Sequence, residues 1–326
     1  MSGTQQQATG IFCPRRLAHA NLFVSDLEAA QRFWTRTAGL TKVFDEPGIG
    51  AVFLSNGATH HDVALMEVSD KPRIGIGGHV QVSSERGSRP GLNHLGFEME
   101  SEADLVAAYR RCQEAGVELH RTTDHKISRS IYLFDPDGNY VEFYADATDD
   151  WRETYRRNEG SLISEHWDPL AQDPARSPRY QEDPDIEAPE DAVFRPRRLV
   201  HAVLVVSDLE RLLTFYTQVA GMRLVHDHRD DGYAVLAGAK GGVDLALFSA
   251  TEGQPPGLHH LGFEVADADE LSASIRRARE QLGDDAVDDL GTGAAAAVIR
   301  DPDGIACKFF ARRPDDGAPA PAPFLL

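Results

Sequence analysis

Three residues in the first half of the chain are of the types that hold a divalent metal: His19, His94 and Glu142. Each falls in a short apolar stretch of strand character. Two imidazoles and one carboxylate form the facial set found in non-haem Fe(II) oxygenases, which leaves up to three coordination positions open. Such a centre could take a chelating substrate and O2 side by side. A single carboxylate leaves residual positive charge, which favours an anionic substrate oxygen. Taken alone, a strand histidine is ordinarily a hydrogen-bonded core side chain and a strand glutamate a surface one. Matched places in a repeated unit weaken both plain readings together.

The repeat is what must position these residues. RRLAHANLFVSDLEAAQRFWTRTAGL at 15–40 returns as RRLVHAVLVVSDLERLLTFYTQVAGM at 197–222, an offset of 182 residues. GLNHLGFEM at 91–99 returns as GLHHLGFEV at 257–265, and the DPDG at 135 returns at 301, both at an offset of 166. Internal repetition of this kind means duplicated structural units. Two modules are expected, 15–147 and 197–313, flanked by an N-terminal tail (1–14) and a flexible C-terminal tail (314–326). A linker or belt rich in Asp, Glu, Arg and Pro (148–196) joins them, long for a connection; WRETYRRNEG within it can form a helix. Each module halves again. A histidine-bearing strand leads into a helix capped by Ser-Asp and stopped by Gly39, then into further strands. The pattern is βαβββ four times over, an α+β fold.

This pairing of βαβββ units with His…His…Glu resembles the vicinal oxygen chelate superfamily and, within it, the type I extradiol catechol dioxygenases. ATHHDVALM at 58–66 is similar to that family's His-Asp strand and places His61 at its acid–base histidine. TDHKISRSIYLFDPDGNYVEFY at 123–144 is similar to its closing signature, with His125 and Tyr132 at the substrate-contacting positions and Glu142 at the carboxylate ligand. The resemblance covers both modules. It implies that each is a curved mixed sheet enclosing a pocket. It also implies an oxidoreductase of aromatic compound catabolism that inserts both atoms of O2 into a catechol-type substrate. Fe(II) would sit on His19, His94 and Glu142, with Mn(II) the alternative, since ligand type alone does not select between them. One departure stands out: many such dioxygenases carry the metal in the second module, whereas here it falls in the first. His61, with an ordinary pKa near 6.5, would move protons in both directions. His125 and Tyr132 would hydrogen-bond the substrate oxygens. Phe97, Phe134 and residues of the loop 69–90 are expected to wall the pocket. That loop, basic and glycine-rich, reads plainly as a mobile surface loop and more sharply as a lid whose Arg or Lys meets a substrate carboxylate. His60, His79 and His120 are expected at the surface.

The second copy acts as an internal control. His19 matches His201 and His94 matches His260, but Glu142 matches Lys308, His61 matches Val243, Tyr132 matches Val298, and His125 falls near Gly291. An ammonium cannot replace a metal-binding carboxylate, so no metal is expected in the second module. His201 and His260 are expected to bond each other or Asp244, leaving this copy a role in fold, dimer interface or pocket wall.

Composition narrows the remaining choices. With 52 acidic against 33 basic residues and a formal charge of −19, the chain repels phosphate backbones and anionic lipid, which argues against nucleic-acid and membrane partners. MSGTQQQATG lacks the basic and apolar regions of a signal peptide. Cys13, Cys112 and Cys307 are too scattered for a disulfide framework. A cytoplasmic homo-oligomer is the expectation. The rival activities are a glyoxalase-like isomerase, an epimerase or a thiol transferase, and outside catalysis a metal-free small-molecule-binding protein.

Overall fold

In the computed structural model, residues 10–75, 78, 80–159, 165–240, 242–289 and 296–311 are described. The expected C-terminal tail, residues 1–9 of the N-terminal one, His79 and Gly291 lie outside them.

The first half opens with β1 (Arg16–Val24), then α1 (Leu27–Arg32), β2 (Thr41–Glu46), β3 (Ala51–Ser55) and β4 (Val63–Glu67). A small hairpin, β5 (Arg73–Ile74) and β6 (Val80–Val82), precedes the next unit: β7 (Gly91–Glu98), α2 (Glu102–Ala115), β8 (Arg121–Asp124), β9 (Ser128–Phe134) and β10 (Tyr140–Asp146). In the belt lie α3 (Trp151–Arg157) and β11 (Glu165–His166). The second half repeats the order with β12 (Pro196–Val206), α4 (Leu209–Thr214), β13 (Arg223–His228), β14 (Tyr233–Ala237) and β15 (Leu245–Ser249). It ends with β16 (Gly257–Val265), α5 (Ala268–Leu282), β17 (Asp288–Asp289), β18 (Ala296–Arg300) and β19 (Ala306–Ala311).

Local chemistry sets these limits. Asp26 and Asp208 accept the backbone N–H three residues on and so cap α1 and α4. Each of these short helices runs on into a π-helical turn, Phe33–Thr37 and Phe215–Val219. Gly39 and Gly221 then reverse the chain at positive φ, 84° and 73°. Ser101 and Asp267 cap the longer α2 and α5.

Two mixed sheets result. The first runs β11-β8-β9-β10-β7-β1-β4-β3-β2 and the second β13-β14-β15-β12-β16-β19-β18-β17. Strand alternation gives each sheet two faces. On the first, Ala20, Leu22, Leu95, Phe97, Val141 and Phe143 enter a core that continues without a break into residues of the second, such as Leu204, Phe263 and Phe309. The opposite face carries the polar residues and a smaller apolar cluster around Phe44, Phe53 and Met66. The belt helix α3 closes over that cluster: Asp150 caps it, Trp151 and Tyr155 are buried, and Tyr155 stacks on Phe44 at 4.6 Å. The rest of the belt is irregular and strapped down, with Tyr180 bonding Glu100 at 2.8 Å and the Glu187 amide bonding the Asn56 carbonyl at 2.7 Å.

A reciprocal clasp joins the halves. In the first DPDG turn, Asp135 accepts the Tyr216 hydroxyl at 2.9 Å, while Asp137 accepts both the backbone N–H (2.8 Å) and the hydroxyl of Ser207. In the second, Asp301 accepts Trp34 Nε1 at 3.4 Å and Asp303 accepts the Ser25 backbone N–H at 2.9 Å. Each turn thus docks on the capped helix of the other half. No helix among the described residues is long and apolar enough to cross a membrane.

Candidate metal centre and its pocket

One row of cross-strand neighbours builds the centre. His19 on β1 pairs with Gly96 on β7, Gly96 with Glu142 on β10, Glu142 with Tyr132 on β9, and Tyr132 with Arg121 on β8. His94, two residues before Gly96, shares its face. The carboxylate oxygen Glu142 Oε2 lies 2.9 Å from His19 Nε2 and 3.0 Å from His94 Nε2. Adjacent ligands about 2.1 Å from an octahedral metal lie roughly 3.0 Å apart, so these two separations suit a shared divalent ion, and the ligand atoms of all three residues lie within 4.8 Å of one another. His94 Nε2 makes no aligned hydrogen bond despite its closeness to the carboxylate. Gly96 keeps the space clear, because a Cβ there would fall 2.0 Å from His19 Nε2. All three side chains are buried. Burial pushes the Glu142 carboxyl up, but the adjoining His19 and His94 outweigh it and hold it well below the usual range. Burial lowers His94 to about 4 against the upward pull of Glu142. An ionised carboxylate beside a neutral imidazole is the protonation pattern a metal requires.

His19, His60 and His61 form a second grouping of nitrogen atoms within 4.8 Å of one another. There His60 Nδ1 lies 2.7 Å from His61 Nδ1. That is a hydrogen-bond distance at which one nitrogen keeps its proton, so the pair stands beside the centre as a bonded unit rather than as two ligands.

His61 packs its ring 4.2 Å from that of His19 and directs Nε2 to Asn21 Oδ1 at 3.2 Å. His60 is buried, not at the surface as expected, and its Nε2 is 3.6 Å from Asp146 Oδ1. The cause is local: the segment joining β3 to β4 curls around Asp62, which takes the Ser55 hydroxyl and the Asn56 amide, so alternation does not apply and both histidines turn inward. Burial, with the charges of His19 and His60, holds His61 well below its ordinary pKa. The expectation of a value near 6.5 is corrected accordingly. His125 Nε2 bonds the Tyr132 hydroxyl at 2.9 Å, and burial lowers this histidine to about 4.

His60, His61, His94, His125, Tyr132 and Glu142 border one cleft, with Ile49, Phe53, Met66, Val82 and Ile127 as its apolar wall; His19, wholly buried, does not line it. Phe97 is not part of it. One step out of phase with His94 and Gly96, it faces the core and stacks near Phe143. Phe134, 40 % exposed, also lies outside. From the loop 69–90, Gln81, Val82 and Arg86 reach the cleft. His120 is exposed as expected, but it has a partner, its Nδ1 lying 2.7 Å from the Tyr140 hydroxyl. Sequence reasoning missed Asn21, Gly96, Arg121 and Tyr140. Asn21 and Gly96 sit two residues from His19 and His94 on the same strand faces, a signal that was there to use.

The second sheet repeats the row with His201, Gly262, Lys308 and Val298. Lys308 is buried where Glu142 stands in the first. Among the described residues, no set of three ligand types gathers around it. Burial and the Lys308 charge lower His201 to about 3. His201 and His260 meet edge to face at 5.6 Å without a mutual hydrogen bond; His260 Nδ1 instead lies 2.7 Å from His259 Nδ1. Asp244, the other expected partner, accepts the amides of Leu17 and Gly238, each at 2.8 Å, and so ties β1 to the second half.

The family model for the Glyoxalase/Bleomycin resistance protein/Dioxygenase superfamily matches residues 16–143 and 198–309. The chain is 27 % identical over 188 residues to Metapyrocatechase 2 of Cupriavidus necator, which is 57 % of this chain and 52 % of that one, about half its length. It is 26 % identical over 262 residues to Catechol-2,3-dioxygenase of Bacillus subtilis, 79 % of this chain and 77 % of the other. Among solved structures, the 2,3-dioxygenase LapB from Pseudomonas sp. KL28 superposes with a TM-score of 0.62 at 18 % identity, covering 95 % of this chain and 98 % of that one.

Proposed function

The chain belongs to the Glyoxalase/Bleomycin resistance protein/Dioxygenase superfamily, and from that premise we propose that its first half is an extradiol ring-cleavage dioxygenase acting on catechols. The supporting observation is the convergence of the wholly buried His19 with His94 and Glu142, the latter two lining a cleft that His61, His125 and Tyr132 also line. Likeness to a relative named Catechol-2,3-dioxygenase supports the same reading.

His19, His94 and Glu142 would hold Fe(II), or Mn(II), and the ion when bound supplies chelation of the diol and activation of O2. The protein's own groups do the rest. His61 is held neutral by burial, and its Nδ1 is engaged by His60. With Nε2 donating to Asn21 Oδ1 and Nδ1 accepting from His60, this imidazole rests protonated at Nε2, and exchanging the Asn21 contact for the substrate would let that N–H donate a proton as the ring opens. The bond between His125 and Tyr132 uses one of the pair's two polar hydrogens and leaves the other to donate to a substrate oxygen and so to orient the ring. The apolar wall takes the ring face and excludes water, which strengthens each of these interactions.

The test is anaerobic purification, determination of bound metal, then addition of a catechol panel with O2 while recording oxygen uptake and a coloured ring-fission product. Uptake with colour is the expected result. Metal without uptake on any catechol would point to an isomerase of the same superfamily, and failure to bind metal to a binding module.

A further inference from the structure

Two arginines at the cleft are unaccounted for by the chemistry above. Arg86 comes from the loop 69–90 and donates Nη2 to the Asn93 carbonyl (3.0 Å) and Oδ1 (2.7 Å), so its head is fixed beside the ligand His94. Arg121 comes from β8, opposite Tyr132, and donates Nη1 to the Gln81 carbonyl at 3.2 Å; its buried Nε has no hydrogen-bond partner. Each head lies over one ring of a stacked pair of tyrosines. Arg86 Cζ lies 4.0 Å over the Tyr140 ring, Arg121 Cζ 4.8 Å over the Tyr132 ring, and the two rings are 5.1 Å apart.

Neither guanidinium has an ion-pair partner among the described residues, although 52 acidic side chains are available in the chain. The charges that act on Arg86 come from two tyrosines and from Arg121, and burial lowers its pKa. Two like charges that line one cleft, that act on each other and that lack an ion-pair partner among the described residues favour the arrival of an anion. Tyr132 is the neighbour of Glu142 on the next strand, so Arg121 stands one aromatic side chain away from the candidate metal centre. That is the reach of a substituent across a substrate ring.

We infer that Arg86 and Arg121 form a subsite for a carboxylate carried on the ring of the substrate, so that this site takes acidic catechols in preference to neutral ones. The inference rests on the dioxygenase reading for the diol end of the substrate. Its recognition chemistry is separate: a planar guanidinium fork on a carboxylate, in a cleft where water is scarce. Tyr140 and Tyr132 hold the two heads in place by stacking.

The test measures equilibrium binding and does not depend on turnover. Protein loaded with Mn(II) is titrated anaerobically, by calorimetry, with 3,4-dihydroxybenzoate, 4-methylcatechol and 3,4-dihydroxybenzylamine. The expected order is carboxylate, then neutral, then ammonium. Arg86→Gln and Arg121→Gln should each lower the ratio of carboxylate to neutral affinity roughly ten- to hundredfold, the worth of a charged hydrogen bond in a desolvated site. Arg121→Lys should restore part of it. Because the neutral catechol is measured on the same variant, damage to packing cancels from the ratio. Equal affinity for carboxylate and neutral ligands in the unaltered protein, or a ratio unmoved in both variants, would overturn the subsite. Oxygen uptake with the same three compounds keeps the two readings apart. Binding selectivity without uptake leaves the subsite standing and removes the dioxygenase; uptake without selectivity does the reverse.

Discussion

At the scale of single residues, the sharpest difference between the two halves is Glu142 against Lys308, side chains at the same point of the same row. Glu142→Ala should abolish binding of the divalent ion, whereas Lys308→Ala should leave it intact, as read by metal content after gel filtration. Loss of metal in a folded Lys308 variant would refute a single centre. Lys308 also offers a pH signature. Burial pushes its ammonium down to about 8. Between that value and the ordinary one of 10.5, the unfolded chain holds the proton and the folded chain does not, so stability contributed at this site rises with pH. Compared by urea denaturation, the parent should therefore gain on Lys308→Ala between about pH 7.5 and pH 10, and a constant difference would exclude a depressed lysine. Much at this scale was legible. The repeat supplied the pairing of positions with His19, His94 and Glu142, and the family resemblance added His61, His125 and Tyr132; of these six, all but the wholly buried His19 line one cleft. What escaped was of two kinds. His60 turns inward through a loop, where no periodicity exists to read. Phe97 follows the strand alternation that His94 sets, a rule available in the sequence and left unapplied.

At the scale of elements, the centre is a property of strand register. Four neighbouring strands put His19, Gly96, Glu142 and Tyr132 in line, and the glycine is the member without a side chain because the others need its volume. Gly96→Ala, with a Cβ 2.0 Å from His19 Nε2, should displace that imidazole and lower metal affinity by at least about a hundredfold while the sheet still forms; unaltered affinity in a calorimetric titration would contradict this geometry. The βαβββ order was readable from caps, stops and alternation, since these are local signals. The path of the belt was only partly so. Its helix was visible in WRETYRRNEG, but its place over the Phe44–Phe53 cluster depends on tertiary packing that no local pattern encodes.

At the scale of the whole molecule, the halves are held by one continuous core and by the clasp between DPDG turns and capped helices. Asp137→Ala and Asp303→Ala should each cost about 1–2 kcal/mol, and the double variant about their sum, since the two contacts belong to opposite ends of the clasp. Urea unfolding followed by fluorescence would measure this, and strong non-additivity would show that the two ends are one coupled contact. The sequence revealed the turns but not what they grip, because a contact between repeats leaves no mark on either repeat alone. The reciprocity has an evolutionary consequence. A clasp in which each half offers the other the same turn and the same helix is the interface of a two-fold dimer drawn within one chain. In a true dimer a single gene encodes both copies, so neither can lose its metal ligands without the other losing them too. Once fused, the copies mutate independently. On the proposed reading, the second could then exchange a carboxylate for a lysine and persist as scaffold, while selection on chemistry fell on the first.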